Sequence, residues 1–277
     1  MNWHCLILLL LTGLPVAAVT VPTELELVLP TGAEPIRQRD PARAALYQGR
    51  GIDLVNTGKF EFALDQFRRS LAFEPANVNA LVNVAYCLDR LGRYEDAIEE
   101  LRRAEKLNPN NTMIFINWGN SLINLKKFED AIEPLQRARD LDASNQLVRL
   151  NLAAAFANSG HPEKALPELA IAAVINSNNP SIFINWAVVL TSLGRYDAAI
   201  AAYDRAIALD PKNISTYFNC AALYERTGNL TGAIEKISTA LQVEPGNATL
   251  TDILSRLKAA RDKRPGIVPI LPGATLQ

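Results

Sequence analysis

The chain of 277 residues has almost no net charge: 28 Lys and Arg stand against 29 Asp and Glu, leaving −1 at pH 7. A nucleic-acid binder needs a basic stripe to displace counterions from phosphate, and the sequence has neither a stripe nor a run of one sign. Histidine is scarcer still, with His4 and His161 alone. No metal-ligand spacing appears, no phosphate-cradling glycine loop and no nucleophile elbow. Neighbouring carboxylates such as Glu99 and Glu100 sit in helical sequence, where solvation is their ordinary state. These absences predict a protein that is not an enzyme and holds no cofactor and no metal. Pro and Gly are sparse (16 and 14) while 49% of residues are apolar, so the chain folds.

Long apolar runs are also wanting, save for Cys5 to Val19 (CLILLLLTGLPVAAV). That run is shorter than the roughly 20 residues of a membrane span. It has the length of a signal-peptide core, with Val16 and Ala18 placed for cleavage after Ala18. The reading is export, to a periplasm or out of the cell, with residues 1–18 as the signal. The preceding Met-Asn-Trp-His lacks Lys and Arg, so a membrane anchor that stays uncleaved is the alternative. Residues 19–43 follow as a Pro-containing linker.

What the sequence has in abundance is periodicity. Gly58, Gly92, Gly160, Gly194 and Gly228 are spaced by 34 residues or twice that, and Lys126 fills the skipped place. Setting these as position 15 gives six units without insertion: 44–77, 78–111, 112–145, 146–179, 180–213 and 214–247. Position 20 is then always Ala (Ala63, Ala97, Ala131, Ala165, Ala199, Ala233), and position 8 always Gly or Ala. Position 27 is Ser70 and then Ala, while position 32 is Pro75, Pro109, Pro211 or Pro245 in four units.

Each unit carries apolar stripes at 4, 7, 8, 11 and at 20, 24, 27, the signature of two amphipathic helices. Gly at 15 ends the first helix in a left-handed conformation, and Pro at 32 stops the second. Pro134 and Pro167 fall inside second helices and are expected to kink or delay them. A lone helix pair cannot bury its stripe, so neighbours stack. After the sixth unit, Leu250, Ile253, Leu254 and Leu257 make one more stripe, a capping helix over 248–264, followed by an apolar tail at 265–277. Cys87 and Cys220 lie four units apart, too far for a disulfide, and read as small core residues.

These columns resemble the tetratricopeptide-repeat family over residues 44–247. The resemblance implies an all-α fold, a right-handed α-solenoid of six helix-turn-helix units plus the capping helix. It also implies a scaffold that binds proteins in a groove lined by positions 2, 5, 6, 9, 12 and 13 of the first helices.

On that face position 6 is Asn in five units: Asn83, Asn117, Asn151, Asn185 and Asn219. Asn is a poor helix former, and its amide offers one donor and one acceptor edge, enough to pair with a peptide unit. The column therefore reads as a ladder for an extended chain; bonding between neighbouring helices is its plainer role. Position 5 contributes Val82, Ile116, Leu150, Ile184 and Phe218, and position 2 adds Met113 and Leu147. With no Lys or Arg at positions 2, 5 or 6, the expected partner is an extended apolar peptide, not an acidic carboxylate. The alternative is a membrane-anchored assembly scaffold that self-associates through the outer faces of the helix pairs. The apolar flanks 20–35 and 265–277 have the properties of such a peptide themselves.

Overall fold

The computed structural model describes residues 39–263. The signal expected at 1–18 with His4 and Cys5, the linker expected at 19–38 and the tail expected at 265–277 lie outside the described residues. Within them the chain forms thirteen α-helices and no strand: α1 (Pro41–Asn56), α2 (Phe60–Phe73), α3 (Val78–Arg90), α4 (Tyr94–Leu107), α5 (Thr112–Asn124), α6 (Phe128–Leu141), α7 (Gln146–Asn158), α8 (Pro162–Ile175), α9 (Pro180–Ser192), α10 (Tyr196–Leu209), α11 (Ile214–Arg226), α12 (Leu230–Val243) and α13 (Ala248–Asp262). Every helix packs on the next in chain order, and the first helices of successive units also touch, as α3 on α5 and α5 on α7. The architecture is an all-α helical-repeat solenoid.

The corner inside each unit follows from one left-handed residue. Gly58, Gly92, Gly160, Gly194 and Gly228 have φ of 71–89°, and Lys126 adopts the same conformation at φ 60°. That turn lets the next N–H reach back to the carbonyl of position 11, for example Arg93 to Leu88 at 2.8 Å and Lys127 to Leu122 at 2.9 Å.

The corner between units depends less on proline than the sequence suggests. Second helices end at the same position in units with Ala143 and Ser177 as in units with Pro. The turn is built instead by two polar columns that the periodicity reading passed over. At position 31, Asn108, Asp142, Asn176 and Asp210 each accept the N–H two residues on, at 3.0–3.2 Å. At position 34 all six residues are Asn (77, 111, 145, 179, 213, 247), and each side chain caps the following helix at 3.0–3.3 Å.

Two expectations need correction. Pro134 and Pro167 neither shorten nor delay their helices: α6 and α8 run 14 residues each, like α4 and α10. Each proline removes a single hydrogen bond, and packing against the first helices holds the rest. The linker also ends early, because α1 starts at Pro41. Asp40 accepts the Arg43 N–H at 3.0 Å and Pro41 supplies a preset φ at the first helical position.

The core is a continuous stripe between the helices. All six Ala of position 20 are fully buried, and the small residues at positions 8 and 27 are buried beside them. Ser70, the exception at position 27, donates to the Ala44 carbonyl at 2.9 Å. Leu250 and Leu257 of α13 close the last unit, and Arg256 grips Glu225 of α11 with two hydrogen bonds of 2.6 and 3.0 Å.

Unit 4 breaks the apolar rule at position 4, where Arg149 stands among Tyr47, Leu81, Phe115, Phe183 and Tyr217. Arg149 and Glu168 are each only 7% exposed. Their Nη1–Oε2 contact is 2.7 Å, and Arg149 Nε and Nη2 donate to the Ala143 carbonyl at 3.1 and 2.8 Å. Arg139 of α6 completes the group by donating to Glu168 Oε1 at 3.1 Å. The Ala143 carbonyl is at position 32, and the equivalent Pro211 carbonyl accepts from Tyr217 Oη at 3.2 Å. Arg149 thus makes the carbonyl contact that the Tyr217 hydroxyl makes in unit 6 and adds a charge that Glu168 must balance.

Candidate peptide groove

Stacking places positions 2, 6, 9 and 13 of successive first helices on one side and the core stripe at 4, 7 and 11 on the other. The amides of Asn83, Asn117, Asn185 and Asn219 fall on this face, half-buried, and none has a hydrogen-bond partner among the described residues. Asn151 differs. It is 3% exposed and its Nδ2 donates to Oδ1 of Asn120, at position 9 of the preceding unit. The asparagine column is therefore not uniform: Asn151 bonds between neighbouring first helices.

The apolar residues assigned to the groove divide in the same way. Val82 and Ile116 are buried in the core between units and present nothing to a ligand. The reason is geometric: position 5 lies at the edge of the stripe, and each new unit covers it. Leu147, Leu150, Ile184 and Phe218 are half-buried against the core. Met113, by contrast, is 51% exposed. Position 9 supplies two exposed apolar residues that the sequence reading missed, Ile52 and Val188. Val188 lies one turn beyond Ile184, and extending the stripe by four residues finds it.

The charged groups near the groove are mostly engaged. Arg90 and Arg226, both at position 13, lie over the rings of Phe60 and Tyr196 at 4.7 and 5.3 Å. Asp89 accepts Ser121 Oγ at 2.9 Å and Asn124 Nδ2 at 3.2 Å, both from the next unit. Burial raises its carboxyl above the usual carboxylate value, against these hydrogen bonds and the Arg90 charge, which lower it. Burial likewise pushes the Cys87 and Cys220 thiols up to about 12, so both stay protonated. Among the described residues no group of His, Cys, Asp or Glu could hold a metal ion, and no helix is long and apolar enough to cross a membrane.

Family models agree with this architecture. A model described as anaphase-promoting complex, cyclosome, subunit 3 matches residues 56–138, one described as tetratricopeptide repeat matches 116–180, and one described as TPR repeat matches 187–228. Among curated protein sequences none matches. Solved structures do. PilW, a type IV pilus biogenesis factor, superposes with a TM-score of 0.69 at 17% identity, over 76% of this chain and 98% of its own. PilF of Pseudomonas aeruginosa gives 0.63 at 21%, over 77% and 97%. The APC/C hetero-tetramer Cut9–Hcn1 gives 0.63 at 21%, over 79% of this chain, which spans 44% of that one. The repeat columns, the paired helices and the family models converge, and the chain belongs to the tetratricopeptide-repeat family.

Proposed function

We propose that the protein is a non-catalytic scaffold, exported behind residues 1–18, that holds an extended apolar segment of a partner protein across its first helices. The observation that carries this reading is the set of half-buried amides without partners, Asn83, Asn117, Asn185 and Asn219, one per unit on a common face. Their chemistry suits a backbone: each amide can donate to a carbonyl and accept from an N–H of the same extended chain. Exposed Met113 and Val188 lie beside them for the side chains.

The ladder alone is too weak. Each amide bond nets roughly 0.5–1.5 kcal/mol, and ordering each peptide residue costs about 1–2 kcal/mol. Apolar burial at about 25 cal/mol per Å² must supply the surplus, so affinity is modest and the ligand apolar. Co-purification from native extract tests this, with Asn117→Ala/Asn185→Ala beside wild type and Asn151→Ala as the counterpart whose amide is sealed. A partner lost with the first variant and kept with the second supports the groove. A partner kept by both moves the interface elsewhere.

A second reading, self-association through the second helices, is favoured by α8. Its outer face exposes Ile171, Val174 and Ile175, with Val174 at 86%. Sedimentation velocity over a concentration series decides it: Val174→Lys should leave a monomer unchanged and dissociate an oligomer.

A further inference from the structure

Two pairs of neighbouring second helices are bridged by the residue at position 23. Lys236 of α12 reaches Asp204 of α10 at 2.7 Å, and Glu168 of α8 reaches Arg139 of α6 at 3.1 Å. Between α4 and α6 that position is Pro134, which has no long side chain to span the gap. Beside it lies a cleft of about 800 Å³ with α4 and α6 as walls and α5 as floor, within the size range of ordinary ligand sites. It lies on the opposite side of α5 from Asn117, so it is separate from the groove above.

The lining of this cleft carries five carboxylates against three cations, Arg102, Lys127 and Arg137. Half-buried Trp118 and Leu125 form its floor. Arg102 sits over the Trp118 ring at 5.4 Å and Arg137 over the Phe115 ring at 6.0 Å, so two of its cations are turned onto ring faces. The walls carry Glu95 and Glu105 from α4 and Asp130 and Glu133 from α6, and none of these carboxylates has a hydrogen-bond or ion-pair partner among the described residues. Acceptors in excess beside an aromatic floor complement a donor-rich cation with an apolar neighbour.

We propose that this cleft is a second docking site, taking an extended segment of a partner protein in which a lysine or arginine stands beside an apolar side chain. The cationic head meets the wall carboxylates, and the apolar neighbour covers Trp118 and Leu125.

The test uses the full chain and two synthetic, end-blocked hexapeptides, one alternating leucine with arginine and one alternating leucine with glutamate, in titration calorimetry. The arginine peptide should bind at least roughly tenfold more tightly, and added salt should narrow the difference. Glu105→Gln/Glu133→Gln should weaken it about fivefold or more. Pro134→Lys sets a tethered cation in the cleft, as Lys236 stands at this position in α12, and should remove binding. Pro134 is buried, so the fold of this variant is checked by circular dichroism before binding is read. Equal affinity for the two peptides overturns the proposal, as does arginine-peptide binding that survives Pro134→Lys. Binding lost instead with Asn117→Ala/Asn185→Ala places the peptide in the amide groove and overturns it equally.

Discussion

Glu168 should be the most costly single residue to truncate in unit 4. It is 7% exposed and receives Arg149 at 2.7 Å and Arg139 at 3.1 Å. Glu168→Ala leaves the Arg149 guanidinium buried with only the Ala143 carbonyl to accept from it. Stranding a buried charge costs about 3–5 kcal/mol. Arg149→Leu is milder, because Glu168 keeps Arg139, whose side chain is 29% exposed, and the lost hydrogen bonds account for about 1–3 kcal/mol. The double variant Arg149→Phe/Glu168→Ala restores the aromatic of neighbouring units and removes both charges, so its cost should fall well below the sum of the single changes. Urea unfolding followed by circular dichroism and by the fluorescence of Trp118 and Trp186, which flank unit 4, measures all three. Two probes are needed because repeat arrays lose two-state behaviour when a middle unit weakens. A Glu168→Ala loss below about 1 kcal/mol, or an Arg149→Leu loss exceeding it, refutes the idea that this group is held by a carboxylate balancing a stranded cation.

Three further outcomes follow from local geometry. Lys126→Gly should stabilise the protein by about 0.5–1 kcal/mol in the same unfolding assay, because Lys126 holds a left-handed φ of 60° and the relief exceeds the entropy glycine adds. Gly119→Ala should destabilise by about 1–3 kcal/mol, although Ala stands at this position in four other units: here a new Cβ runs into the branch point of Leu135. Asp89→Asn tests the raised carboxyl. An acid whose folded value lies above its unfolded one adds stability when protonated and loses it as pH rises through the folded value. Wild type should therefore gain on the variant as pH falls from neutral into the carboxylate range, and a difference that stays flat with pH rules this out.

The fold was legible because its signals are local and repeated. One residue type at position 15 and one at position 20 recur at a spacing of 34, and each has a single physical use, a left-handed corner and a close helix approach. The joints between units were legible as well, but the wrong column drew the eye. Four prolines at position 32 stand out, whereas the Asn at all six position-34 sites is the residue that caps each helix. The groove was harder. Position 5 looks exposed on a single helix and becomes core only when the next unit covers it, as Val82 and Ile116 show. Asn151 has the same identity and register as Asn117, and only the side chain at Asn120 distinguishes them. Arg149 could have been found, since it is the one charged residue in a column of rings and a leucine.

The asparagine at each joint also governs how the gene can change length. Each of these residues ends one unit and opens the next through its own side chain, so the joint chemistry is the same at Asn77, Asn111, Asn145, Asn179, Asn213 and Asn247. Excising residues 180–213 joins Asn179 to Ile214 and recreates a capped helix start, whereas removing a few residues more or fewer parts a cap from its turn. Loss or duplication is thus tolerated in whole cassettes and resisted in fragments. The array can lengthen or shorten by quantised steps, each adding one helix pair and one corner.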